Sequence, residues 1–77
     1  MRGYRKRGPI VHSRAKVEQF PTMMSLRRLC KHLEVSRATV TGWIRDKELP
    51  AVPAGEGWLI LRHELIEWME KTKRLSK

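Results

Sequence analysis

The chain is 77 residues long, 40% hydrophobic and 32% charged, and its 17 Lys and Arg against 8 Asp and Glu leave a formal net charge of +9. So short a chain admits one compact domain burying only about 60% of its unfolded surface, while its single Cys30 and short apolar runs exclude an internal disulfide and a bilayer-crossing helix of roughly 20 residues. The charge calls for a polyanionic partner, with nucleic acid ahead of an anionic membrane surface.

The first twenty residues carry Arg2, Arg5, Lys6, Arg7, Arg14 and Lys16 against Glu18 alone, together with Gly3, Gly8 and Pro9. No helical or strand period runs through them, so residues 1–21 read as a flexible basic arm. They lack the apolar stretch of a secretory signal, and a cytoplasmic, soluble protein is expected. The folded unit is expected over residues 22–73, with 74–77 as a short tail.

Leu26, Leu29, Cys30 and Leu33 fall at i, i+3, i+4 and i+7 and share one helical face. Ser25 suits the N-cap, and Met24 with Leu29 fits a hydrophobic staple. The spacing predicts a first helix over Leu26–Leu33. Ser36 is a second N-cap and Val35 with Val40 a second staple, so another helix starts almost at once, with Val40, Trp43 and Ile44 inward. It is expected to end near Lys47, before Pro50. Two helices separated by so short a link meet at a steep angle, which is a helix-turn-helix.

Past Pro50, β-prone stretches flank Gly55-Glu56-Gly57 and predict a short hairpin, with Pro53 confined to an edge strand. A third helix is expected from Arg62 to Lys73, with Leu65, Ile66 and Met69 inward and the pairs Glu67–Lys71 and Glu70–Arg74 on its surface. Trp43 and Trp58 read as core aromatics joining the second helix to the hairpin, and Trp68 as core or as part of a protein contact. The fold class is therefore mainly α with a small β-hairpin.

At about 100° per residue, the second helix turns Ala38, Thr41, Gly42 and Arg45 away from the core, with Ser36 and Arg37 at its N-terminal edge. This face is small, polar and cationic. Arginine pairs with guanine O6 and N7, a Thr methyl can touch the thymine methyl, and small residues at 38 and 42 allow close approach to base edges. Ser36, Arg37, Ala38, Thr41, Gly42 and Arg45 are thus the candidate duplex-reading set. Arg2, Arg5, Lys6 and Arg7 are candidates for backbone or minor-groove contact from the arm.

The run from Ser25 to Glu70 contains V-S-R-x-T-V-x-x-W-I at Val35 to Ile44, L-P-A at Leu49 to Ala51, and an internal Trp68. In these it resembles the excisionase-like DNA-binding domains, which are related in fold to the MerR regulators. The resemblance covers about Thr22 to Lys71. It implies a winged helix-turn-helix of three helices plus a two-stranded wing, with wing contact near Gly55 and Gly57. The function it implies is that of a phage or mobile-element recombination directionality factor, which bends DNA so that an integrase excises an element. An integrase and further copies of the chain along DNA are the implied partners. Two positions depart from the family pattern: Glu34 stands where the turn often has Gly, and the hairpin carries no cation but has Glu56 at its tip.

Other chemistry finds little support. Cys30 and His32 lie on different faces of one helix with no second ligand pair, so no metal is expected, and Cys30 reads as core. His12 and His63 read as isolated surface residues. No nucleophile triad, carboxylate pair or phosphate-cradling loop assembles, so neither an enzyme, a cofactor nor a small-molecule substrate is expected. A MerR-like transcriptional regulator is the second reading. An RNA-binding module is the third, disfavoured because only Tyr4 and Phe20 besides the tryptophans offer stacking surfaces.

Overall fold

The computed structural model describes residues 11–76. In chain order these form β1 (His12–Ser13), α1 (Arg14–Glu18), β2 (Met23–Ser25), α2 (Leu26–Leu33), α3 (Arg37–Asp46), β3 (Val52–Ala54), β4 (Gly57–Leu61), α4 (Arg62–Lys71) and β5 (Leu75–Ser76). The result is a winged helix-turn-helix, with an added strand on the wing and an added helix and strand pair at the chain ends.

The two central helices form for the reasons their sequence suggests. The Ser25 hydroxyl accepts the Arg28 amide at 3.2 Å, and Leu26, Leu29, Cys30 and Leu33 are all buried. Glu34 closes α2 in the left-handed region, at φ 59° and ψ 45°. Its amide bonds back to the end of the helix, and the Val35 amide donates to the Cys30 carbonyl at 3.1 Å. This is the closure that usually carries glycine. Ser36 then caps α3 by accepting the Thr39 amide at 3.1 Å.

β3 and β4 form the expected hairpin, with β3 on an outer edge, as Pro53 requires. β2 joins the other side of β4 in antiparallel register, pairing Met24 with Ile60. Both side chains are buried, as are Val40, Leu49, Leu65 and Met69. The closing helix ends at Lys71, short of the expected Lys73, because Lys73 turns left-handed at φ 60° while the Arg74 amide donates to the Met69 carbonyl at 2.7 Å.

Residues 12–20, assigned to the arm on sequence grounds, are instead part of the domain. Ser13 caps α1, and Val17 and Phe20 sit in the core at 0% and 4% exposure. Burying two such side chains is worth about 1.5–3 kcal/mol each, which orders a segment too short to show a period. Phe20 is therefore not an exposed stacking surface. β1 pairs in parallel with β5, His12 opposite Leu75, so Leu75 and Ser76 are a strand where a tail was expected. His12 is buried, not superficial: its Nε2–H donates to the Leu33 carbonyl at 3.1 Å, at the end of α2. His32 stacks on Phe20 with ring centroids 4.8 Å apart.

Three further expectations change at α4. Trp43 meets Trp68, at 5.2 Å between centroids, so it joins α3 to the closing helix where a link to the hairpin was expected. Arg74 lies over both rings, 5.3 and 5.0 Å from their centroids, in place of pairing with Glu70. Glu70 pairs with Arg14 of α1, which also bridges to Glu18 at 3.3 Å, and Glu67–Lys71 is not among the ion pairs of the described residues.

Candidate nucleic-acid interface

α3 divides cleanly between packing and presentation. Val40 is fully buried, and Trp43 and Ile44 pack on the core cluster. Ala38 and Arg45 are exposed and Thr41 and Gly42 half-buried. These four fall at i, i+3, i+4 and i+7, so they line one stripe opposite the packed one. The sole acid of α3 is Asp46, in its last turn. Arg37 is exposed in the first turn, beside the expected stripe.

The helix is held at both ends. At its start, Ser36 Oγ and Thr39 Oγ1 lie 2.8 Å apart in addition to the backbone cap. Ser36 is thus occupied by capping, though it remains exposed. At the far end, Trp68 Nε1 donates to the Lys47 carbonyl at 2.8 Å. Gly42 sits in mid-helix with nothing inside the protein to require it: a Cβ built there meets no atom within 4 Å. An interior glycine weakens a helix by about 1 kcal/mol relative to alanine, so the space it leaves serves the outward face.

Three cations that sequence reasoning passed over extend this surface. Arg27, Arg28 and Lys31 are exposed on α2 and line, with Ser25 and His32, a shallow depression of about 530 Å³. Their signal was present, since Arg27 and Lys31 are four apart on the polar side of a helix whose apolar side was recognised. Arg27 also joins Arg37, Leu26, Ala54, Gly57 and Trp58 around a groove of about 180 Å³ between the helical pair and the wing. Arg37 therefore belongs to two neighbourhoods, the start of α3 and this groove. Its guanidinium also reaches Cys30 electrostatically: burial pushes the Cys30 thiol above its ordinary range, and Arg37 opposes that shift.

On the wing, Gly55 takes a left-handed φ of 61° at the turn, and Glu56 and Gly57 are exposed beside it. The wing tip is acidic and the groove at its base is cationic. Arg2, Arg5, Lys6 and Arg7 lie outside the described residues. Among the described residues, no cluster of three or more His, Cys, Asp or Glu side chains is placed to hold a metal ion. No described helix is long and apolar enough to cross a membrane.

Comparison with known sequences agrees with this geometry. The helix-turn-helix domain family matches residues 23–73, from β2 through the end of α4. Neither a curated protein nor a solved structure matches the chain.

Proposed function

Because the chain belongs to the helix-turn-helix domain family and binds DNA through that element, we propose that it reads duplex sequence with α3 and acts as an architectural factor in excisive recombination. Several copies side by side bend DNA for an integrase. The observation that carries the reading role is the outward stripe Ala38, Thr41, Gly42 and Arg45, which takes no part in the core and contains an unexplained glycine. In this role Arg45 and Thr41 meet base edges, and Ala38 and Gly42 let the backbone approach them.

Arg27 and Arg37 converge on the groove at the wing's base and neutralise phosphates of the strand that passes there. The wing tip, with Glu56, stands away from the phosphates. The cations at positions 2, 5, 6 and 7 add sequence-independent affinity.

The architectural role is supported by the resemblance of the run Val35 to Ile44, and by size. One module of this kind covers about 600–1,000 Å² of protein surface, so a single copy has limited discrimination and gains it by repetition. Selection of bound sequences from random duplex DNA, followed by footprinting and a bending assay on the recovered site, tests the proposal. Direct repeats with a bend are expected. A palindromic, unbent site bound by a free dimer would identify a transcriptional regulator instead, and preference for single-stranded RNA over duplex DNA would overturn the reading altogether.

A further inference from the structure

The β2–β4–β3 sheet has two faces of different character. Met24 and Ile60 pair on the face that covers the core, and Trp58 lies two residues from Ile60 on the same side. The register places Met23 opposite Leu61, and both Ser25 and Val52 opposite Leu59, on the other face. There Met23 and Val52 are 54% and 52% exposed, and Leu59 and Leu61 take no part in the core cluster. None of the three strands contains a charged residue, in a chain that is 32% charged. Sheet edges are commonly guarded by charge, lysine above all; both edges of this sheet lack it.

We propose that this outer face is a contact between copies of the chain, engaged when two of them occupy adjacent stretches of duplex DNA; the inference rests on the DNA-binding reading above. Charge selects the occupant. Each copy carries a formal +9, so contact between copies through most of the surface opposes like charges, whereas this face meets its counterpart apolar side to apolar side. Area sets the condition. Three strands at about 4.8 Å spacing and five residues at about 3.4 Å each span on the order of 250 Å², well below the roughly 800 Å² per partner of a stable complex. The contact is therefore too small to hold a dimer in free solution. Tethering on one duplex raises the effective concentration to about millimolar, and bound phosphates neutralise the repulsion between neighbours.

The test compares the wild-type chain with Met23→Gln/Val52→Thr. These two positions are chosen because neither lines the Arg27–Arg37 groove, which Leu59 borders. Binding is measured on a duplex of about one helical turn, which admits one copy, and on a random-sequence duplex of about six turns. The wild type is expected to fill the long duplex with roughly 10-fold cooperativity, and the double variant to bind it without cooperativity while keeping its one-turn affinity. Cooperativity that survives in the variant, or is absent from the wild type, overturns the inference and leaves DNA binding intact. Loss of one-turn affinity in the variant also overturns it, since the face would then be part of the DNA contact. A wild type that binds neither duplex defeats the DNA-binding reading itself.

Discussion

Trp68 Nε1 donates to the carbonyl of Lys47 at 2.8 Å, tying the closing helix to the residue that ends α3. The indole is 5% exposed and packs on Trp43. Trp68→Phe keeps most of the packing but strands a partly buried carbonyl, at about 1–3 kcal/mol. Urea denaturation is expected to show that loss. An unchanged midpoint would mean that the bond contributes nothing net.

Gly42→Ala separates folding from reading. With no atom within 4 Å of the added Cβ, the substitution is expected to stabilise the protein by about 1 kcal/mol. The same methyl stands on the outward stripe and is expected to weaken duplex binding. Thermal melting and a binding titration on one preparation check both signs. A variant that is more stable and binds equally well would remove Gly42 from the interface.

The arginines divide by role. Arg45→Ala is expected to relax base preference, with about 1–3 kcal/mol of discrimination lost at one position. Arg27→Ala is expected to weaken all duplexes alike and lower the salt slope of log K by about 0.9. Arg37→Ala should show part of each, because it lies at the start of α3 and in the groove. Competition among variant sites at two salt concentrations distinguishes these outcomes.

Two truncations differ sharply. Removing residues 1–10 takes away Arg2, Arg5, Lys6 and Arg7 and should flatten the salt slope without unfolding the domain. Removing residues 1–20 also deletes Val17 and Phe20 from the core, a loss of about 1.5–3 kcal/mol each. That is severe for a domain whose whole stability is about 5–15 kcal/mol. Circular dichroism should show a folded first product and a largely unfolded second.

Glu34→Gly relieves a left-handed non-glycine residue, φ 59°. Such a residue carries a cost of roughly 1–2 kcal/mol, offset in part by the greater freedom of glycine in the unfolded chain. A rise in melting temperature, with DNA affinity unchanged, is the expected result.

Those elements that depend on local pattern were legible in advance. α2 and α3 have hydroxyl caps, staples and apolar spacing within a few residues of each other, and the hairpin has its glycine turn. Elements that depend on distant partners were not. α1 buries only Val17 within its five residues, and β1 and β5 have two residues each, so none shows periodicity. His12 finds its acceptor 21 residues away. Arg14 and Arg74 turned from the nearest-neighbour pairs of the sequence toward partners supplied by tertiary packing. For the site, helical phase was enough to find the stripe on α3, because burial of Val40 determines what lies opposite. The α2 cations and the Arg27–Arg37 groove needed the relative placement of two helices and a strand.

The parallel pairing of β1 with β5 sets His12 beside Leu75, so the chain enters and leaves the domain at one place. Its path is nearly a closed ring, and what the fold requires is the cyclic order of its elements more than the point at which that ring is cut.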